Sequence, residues 1–196
     1  MIKVSLIEKQ SIWYIAIISP LLFSFLGTLS IFLCIFYLLI KQNKDQFVLK
    51  KKELSMVAIY CILFIPIIFF ISILSKLLLP EFSEQQQVTD LKANFFEIIK
   101  KNGIIIILLA PIVEEIIFRG LFYAALKKYF PWFVSQIISS VIFAIIHENI
   151  MAFTLLFSLS LLLNLIYELY GKLFYPILVH SSFNTFMLTL IYFGNE

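Results

Sequence analysis

The stretch Gly103–Leu126 reads GIIIILLAPIVEEIIFRGLFYAAL and places charged residues in the middle of an otherwise apolar segment. About twenty apolar residues are enough to cross the hydrocarbon core of a bilayer as a helix. A charged side chain costs about 3 kcal/mol at the bilayer centre on insertion scales, so charges are rare in membrane spans. This segment nevertheless contains Glu114, Glu115 and Arg119, the only arginine of the chain. Such a set indicates a functional site inside a membrane helix.

The composition of the whole chain also indicates a membrane protein. The 196 residues are 62% hydrophobic and 14% charged, and the mean hydropathy is +1.01. A soluble domain is about 45–50% apolar and about 25% charged. The net charge of +3 is too small to indicate nucleic acid as a partner. We therefore expect membrane lipid to surround most of the chain. Cys34 and Cys61 both lie in apolar runs, which argues against a disulfide framework.

Six apolar segments are predicted to be membrane spans. They must be helical, because unbroken apolar runs of about twenty residues cannot be the alternating strands of a barrel. The predicted spans are Ser11–Ile40, Leu54–Leu79, Gly103–Leu126, Trp132–Ile146, Ile150–Tyr167 and Leu173–Phe193. We therefore predict an all-α, polytopic transmembrane helix bundle that forms a single membrane domain. Residues 1–102 contribute two spans and a connecting segment without motifs, and residues 103–196 form the motif-bearing core.

One segment between the second and third spans also has helical periodicity. In Asp90–Lys101 the apolar residues share a helix face, Thr89 can cap the start, and Asn102 with Gly103 can form the end. This pattern predicts either a short interfacial helix or an extension of the third span.

The charged residues of the third span have spacings that predict their contacts. Glu115 and Arg119 are four residues apart, so they lie on one helix face and can pair. In a dry setting this pair is nearly obligatory, because neither charge is stable alone. Glu114 points about 100° away from Glu115 and is left without a neutralising partner on its own helix. Such a carboxylate is suited to general acid or base chemistry.

Both histidines of the chain also lie in apolar segments. His147 follows Phe143 by four residues and His180 precedes Asn184 by four, so each pair shares a helix face. Three helices can thus direct a carboxylate, two imidazoles and an amide at one cavity. The carboxylate and one imidazole can deprotonate a water, while the other imidazole and the amide can donate hydrogen bonds to an oxyanion. Glutamate and histidine are also acceptable zinc ligands, and that set would be Glu114, His147 and His180.

These motifs resemble those of the CPBP (Abi) family, which includes CAAX prenyl endopeptidases, bacterial intramembrane proteases, and bacteriocin-processing or immunity proteins. The family pattern is Glu-Glu-x-x-x-Arg, then Phe-x-x-x-His, then His-x-x-x-Asn or a similar residue. The chain contains all three in order: Glu114 and Glu115 with Arg119, Phe143 with His147, and His180 with Asn184. The resemblance extends from about Gly103 to the C-terminus, and the first two spans have no motif.

The resemblance implies an intramembrane endopeptidase and a role for each motif residue. Glu114 and His147 would activate the attacking water. His180 and Asn184 would stabilise the tetrahedral intermediate. The supporting residues would be Glu115, Arg119 and Phe143. We expect the reaction to need no metal cofactor, with zinc as the alternative.

The expected substrate is a membrane-associated peptide or protein, such as a bacteriocin precursor, a signalling peptide or an incoming toxin. The CAAX prenyl-protein role is less favoured. The chain is expected to be a multi-pass protein of a cell membrane, the bacterial plasma membrane.

Two interpretations without proteolysis stay open. Buried polar residues also hold membrane helices together, as in a non-catalytic scaffold or immunity partner, and Glu114 would suit a small proton-coupled transporter.

Overall fold

The computed structural model of the chain describes residues 18, 20, 48, 50–78 and 93–194. Within these ranges the chain forms five helices and no strand, so the all-α prediction is confirmed. In chain order they are α1 (Lys51–Leu78), α2 (95–126), α3 (Trp132–Ile145), α4 (Ile150–Tyr170) and α5 (Phe174–Gly194). The helix α2 comprises several consecutive segments.

Three stretches are both long enough and apolar enough to cross a membrane, and they lie in α1, α4 and α5. Their bounds are Lys51–Ile71, Ala152–Tyr170 and Phe174–Gly194. The fourth predicted span corresponds to α3, a shorter apolar helix. The first predicted span, Ser11–Ile40, lies almost wholly outside the described residues. These findings support a membrane location, while the number of six spans stays a prediction.

The helix α2 is continuous but changes between α and π geometry along its length. Its α segments are Phe95–Ile104, Ala110–Glu115 and Ala124–Leu126, and its π segments are Ile105–Leu109 and Ile116–Tyr123. Of the two alternatives predicted for this segment, a helix end at Asn102 and Gly103 is not observed, because both residues lie inside α2. The described part of Asp90–Lys101 is therefore an extension of the third span and not a separate interfacial helix. The apolar run that follows Gly103 continues the helix and outweighs the local end signal.

The first π segment lies directly before Pro111, and the proline accounts for it. Proline has no backbone N–H and its ring crowds the preceding turn. The Ala110 N–H bonds to the Ile105 carbonyl, five residues back. In that same register the Ile106 carbonyl faces Pro111, which cannot donate. The Ile106 oxygen instead accepts a hydrogen bond from Nδ2 of Asn184 at 2.9 Å, so a side chain of α5 replaces the bond that the proline removes.

The helix α4 lies at the centre of the described bundle, in contact with α1, α3 and α5. Its first turn is capped by Asn149, whose Oδ1 accepts from the Ala152 N–H at 3.0 Å. It ends at Tyr170, and the next residue, Gly171, adopts the left-handed conformation (φ 62°) that favours glycine. An apolar cluster that includes Leu163 and Ile166 joins α4 to α1 and α5. The middle of α2 packs against α5, and its later part packs against α3.

A polar cluster fastens the start of α1 to the turn between α4 and α5. Glu53 Oε2 accepts from Lys172 Nζ and from the Tyr175 hydroxyl, both at 2.6 Å. The Tyr175 hydroxyl in turn accepts from the Lys50 N–H at 3.0 Å. These contacts fix the position of α1 relative to α5, the helix that contains the second histidine.

Candidate active site

Three separate parts of the bundle bring Glu114, His147 and His180 together. Glu114 lies in α2, His147 in the turn after α3, and His180 in α5. Oε2 of Glu114 lies 3.9 Å from Nε2 of His147 and 3.8 Å from Nε2 of His180. This Oε2 atom is buried and has no hydrogen-bond partner. The structure therefore places one carboxylate oxygen between two imidazole nitrogens.

The neighbouring glutamate has a different environment, because it pairs with the arginine. Glu115 Oε1 lies 3.0 Å from Nη1 of Arg119, and both side chains are completely buried. Nη2 of Arg119 donates to Ser160 through its carbonyl oxygen (3.1 Å) and its Oγ (2.8 Å). The guanidinium also lies 5.0 Å from the centre of the Phe143 ring. The charge of Arg119 is thus compensated by an ion pair, hydrogen bonds and an aromatic face.

His180 has its orientation fixed by Glu115. Its Nδ1 lies 2.8 Å from Oε1 of Glu115, the same oxygen that accepts from Arg119. A carboxylate can only accept, so Nδ1 of His180 bears the proton. Nε2 is then the nitrogen that faces Glu114. A hydrogen bond of this kind commonly fixes both the tautomer and the ring position of a functional histidine.

His147 is oriented by the backbone of its own segment. Its Nδ1 lies 2.6 Å from the Phe143 carbonyl oxygen, which can only accept, so Nδ1 again bears the proton and Nε2 faces Glu114. The Phe143 ring packs 4.7 Å from the His147 ring and 6.0 Å from the His180 ring. The Phe-x-x-x-His spacing therefore provides both a backbone acceptor for the imidazole and a ring that packs against both histidines.

This arrangement is chemically suited to holding and deprotonating a water. With both imidazoles neutral, three acceptors face one another: Glu114 Oε2 and the two Nε2 atoms. Facing acceptors repel unless a donor lies among them, and a water molecule has two O–H groups to donate. The buried set has two carboxylates and one guanidinium, so one additional proton on an imidazole makes it neutral. One imidazole of the set can therefore carry an additional proton before substrate binds, without giving the set a net positive charge.

Asn184 lies one helical turn after His180, and its described contact is with α2. Its Nδ2 donates to the Ile106 carbonyl, which uses one of its two N–H groups. The structure thus brings Glu114, His147 and His180 into one group, while Asn184 holds the helix that presents Glu114.

The same three residues have donor atoms that zinc accepts. Nitrogen and oxygen ligands of zinc lie about 2.0–2.2 Å from the ion. In the described part of the chain, however, no group of three His, Cys, Asp or Glu side chains is arranged to hold a metal ion. Zinc at Glu114, His147 and His180 therefore stays the alternative to a reaction without metal.

Ser160 is the contact residue that the sequence did not single out. It contributes both an oxygen of its side chain and its carbonyl to Arg119, and it is completely buried. A single serine in an apolar helix is a common packing residue, so its spacing alone gives no signal. The need for such a residue could still be expected. A buried arginine has more N–H donors than one glutamate can accept, so Arg119 requires a further hydrogen-bond acceptor.

The fold is that of a helical protein with apolar helices of membrane-spanning length, and it contains a buried group of carboxylates and imidazoles. A family model described as type II CAAX prenyl endopeptidase Rce1-like matches residues 100–186. Over this segment the chain is similar to the CPBP (Abi) family, which agrees with the resemblance noted in the sequence motifs. The match includes every motif residue from Glu114 to Asn184. The matched family model describes an endopeptidase.

Two other comparisons found nothing. Neither a curated protein nor a solved structure matches the chain.

Proposed function

We propose that this protein is an intramembrane endopeptidase that hydrolyses a peptide bond in a membrane-associated substrate. The observation that supports the proposal is the approach of Glu114 Oε2 to Nε2 of His147 (3.9 Å) and of His180 (3.8 Å). The match to a family of prenyl endopeptidases is independent support.

In the proposed mechanism Glu114 and His147 act on the attacking water. The water donates one hydrogen bond to Glu114 Oε2 and lies against Nε2 of His147. As its oxygen forms a bond to the peptide carbonyl carbon, its proton passes to Glu114. The same proton is then delivered to the amide nitrogen while the carbon–nitrogen bond breaks. The products are a new carboxyl group and a new amine, and Glu114 returns to its starting state.

His180 is proposed to stabilise the oxyanion of the tetrahedral intermediate. In the proposed mechanism His180 has taken an additional proton from solvent before the water attacks and keeps it throughout. It donates Nε2–H to that oxygen, while Glu115 accepts from Nδ1 and stabilises the imidazolium. Asn184 has one N–H group left after its bond to Ile106, and we propose this group as a second donor. Arg119 and Phe143 position Glu115 and the imidazole rings. The proposed reaction needs no metal cofactor.

The proposed substrate is a bacteriocin precursor, a signalling peptide or an incoming toxin. We propose that the protein is a multi-pass protein of the bacterial plasma membrane and cleaves its substrate there.

One observation favours a second candidate substrate, a lipid-modified CAAX-type protein. An apolar groove of about 410 Å³ lies between α1 and α5, and Val179 and Ser182, on either side of His180 in the sequence, both line it. A groove of this size and character suits a hydrocarbon chain.

The proposal can be tested with purified protein reconstituted in liposomes. Candidate peptides, with and without a lipid group, are incubated in water enriched in ¹⁸O, and products are identified by mass spectrometry. Hydrolysis predicts one ¹⁸O atom in the new carboxyl group, and no product from the Glu114→Gln variant. A folded protein that yields no product from any candidate, but moves protons when substrate is added, would instead favour the transporter. Full function of Glu114→Gln in cells would favour the scaffold.

A further inference from the structure

Buried polar atoms without hydrogen-bond partners are concentrated along one path through the protein. Within the described ranges, seven buried side-chain nitrogen or oxygen atoms have no such partner. Six of the seven lie at the candidate active site or along the contact of α2, α3 and α4. They are Glu114 Oε2, Glu115 Oε2, Arg119 Nε, Ser139 Oγ, Gln136 Nε2 and Asn164 Oδ1. Most buried polar atoms in proteins have a hydrogen-bond partner, so six without one in this region need an explanation.

The path lies along the contact between α2 and α4, where polar side chains of the two helices meet. Ser160, Asn164 and Glu168 are spaced by four and lie along one face of α4. Arg119 of α2 contacts Ser160 at 2.8 Å, and Tyr123 of α2 donates to Glu168 at 2.9 Å. Polar contacts between the two helices therefore extend from Ser160 to Glu168, eight residues or about 12 Å along α4.

The helix α3 closes the third side of this path. Nδ2 of Asn164 donates to Oγ of Ser140 at 3.0 Å and approaches the Gln136 carbonyl at 3.4 Å. The Gln136 side chain lies near the Tyr123 hydroxyl. Asn164, Ser139 and Ser140 are completely buried. We name this path the polar seam and define it by Arg119, Tyr123, Gln136, Ser139, Asn164 and Glu168.

One end of the polar seam reaches the surface. Lys127 Nζ contacts both carboxylate oxygens of Glu168, at 2.6 and 2.7 Å, and is exposed. Tyr123, Lys127 and Glu168 line a cavity of about 280 Å³. The other end is Arg119, whose guanidinium binds Glu115 beside the candidate active site. The seam therefore connects a surface cavity with the buried carboxylates.

The unpartnered atoms along the seam form a set that water can satisfy. Arg119 Nε and Gln136 Nε2 are donors, Asn164 Oδ1 is an acceptor, and the Ser139 hydroxyl is both. A buried water usually makes two to four hydrogen bonds to groups of this kind. We propose that the polar seam holds a chain of ordered waters, and that this chain supplies the active site with the water consumed in hydrolysis. The second part rests on the proposed function, whereas the first does not.

The water chain can be tested in the resting protein, without a substrate. A thiol is introduced by Ser139→Cys in a background free of native thiols (Cys34→Ala, Cys61→Ala). Its exchange in D₂O is followed by infrared spectroscopy of the S–H stretch. The matched control is Leu163→Cys, because Leu163 is fully buried beside Asn164 but lies in the apolar cluster, where a cavity stays dry. If Ser139→Cys does not fold, Ser140→Cys replaces it.

We expect the Ser139→Cys thiol to exchange about tenfold faster than the control, or more. Equally slow exchange at both positions would overturn the water chain, whether or not the protein is a protease.

The supply of water to the active site is tested separately with Ser139→Val, whose folding is checked by its unfolding temperature. Slower cleavage with unchanged KM supports supply, and unchanged cleavage would overturn it. Absence of cleavage in the unmodified protein would overturn the proposed function and leave the exchange result standing.

Discussion

His180 lies 2.8 Å from Glu115, through its Nδ1 and the carboxylate oxygen Oε1. That same oxygen accepts from Arg119, so one atom connects the arginine to the second histidine. The two adjacent glutamates of the motif therefore have separate tasks. Glu115 holds two basic groups in place, while Glu114 faces the two Nε2 atoms with a free oxygen.

This division of tasks predicts different effects of the two Glu→Gln substitutions on stability. Glu115→Gln removes the carboxylate from a fully buried ion pair and leaves Arg119 without its charge partner. Breaking a buried pair in this way costs about 3–5 kcal/mol. Glu114→Gln is the matched control, since it changes an unpartnered oxygen, and we expect an unchanged unfolding temperature. Thermal unfolding of both variants in detergent checks this, and equal losses would contradict the assignment.

The contact between Asn184 and Ile106 predicts a coupling with Pro111. Asn184→Ala leaves the Ile106 carbonyl without a donor, which should cost about 1–3 kcal/mol of unfolding free energy. Pro111→Ala restores a backbone N–H in register with that carbonyl. The cost of Asn184→Ala should therefore be smaller in the Pro111→Ala background, by about 1 kcal/mol.

The double-mutant cycle for this coupling is measured by denaturant unfolding of the four proteins in mixed micelles. Additive effects of Pro111→Ala and Asn184→Ala would show that the amide does not replace the missing backbone bond. Cleavage by the single variant adds a further distinction. If Asn184 also stabilises the oxyanion, activity should fall by more than the loss of stability explains.

Ser160 is expected to support Arg119 through its side chain. Ser160→Ala removes the 2.8 Å bond to Nη2 and leaves the carbonyl bond at 3.1 Å. Hydrogen bonds to charged groups contribute about 1.5–3 kcal/mol, so a loss in this range is expected. Ser158→Ala, two residues away on the same helix, is the control and should change unfolding free energy by less than about 0.5 kcal/mol. Equal effects of the two substitutions would contradict the contact.

Metal content can be measured directly on the purified protein. We expect elemental analysis to find well under one zinc per chain, and chelator treatment to leave cleavage unchanged, because in the proposed mechanism Glu114 and His147 activate the water without a metal. Stoichiometric zinc that is lost together with activity on chelation, and in His147→Ala, would instead favour the zinc alternative.

Much of the fold could be predicted from the sequence, because apolar length alone identifies membrane helices. The starts of α3 and α4 and the end of α2 fall where the sequence predicted them, at Trp132, Ile150 and Leu126. The sequence left open whether a helix ends at Gly103, and it does not, since a local end signal is weak against a long apolar run. The π segments could not be predicted, because they depend on how Pro111 and the buried Ile116–Tyr123 stretch pack against other helices.

The pairing within one helix could be predicted, but the distances between helices could not. The four-residue spacing of Glu115 and Arg119 predicted their contact, and the structure has it at 3.0 Å. By contrast, straight helices drawn from the sequence place Glu114 deep in its span and His147 near the end of a short one. Their side chains nevertheless lie 3.9 Å apart. How deep one helix lies in the bundle relative to another is set by the packing between them, which cannot be predicted from the sequence of either helix alone.

The central claim is that Glu114 activates a water for hydrolysis of a peptide bond. The most direct test is mass spectrometry of the peptides from cells that produce either the unmodified protein or the Glu114→Gln variant, at matched levels of folded protein. We expect a cleaved peptide in the first cells and only its uncleaved precursor in the second. The same cleaved peptide at the same abundance in both would contradict it.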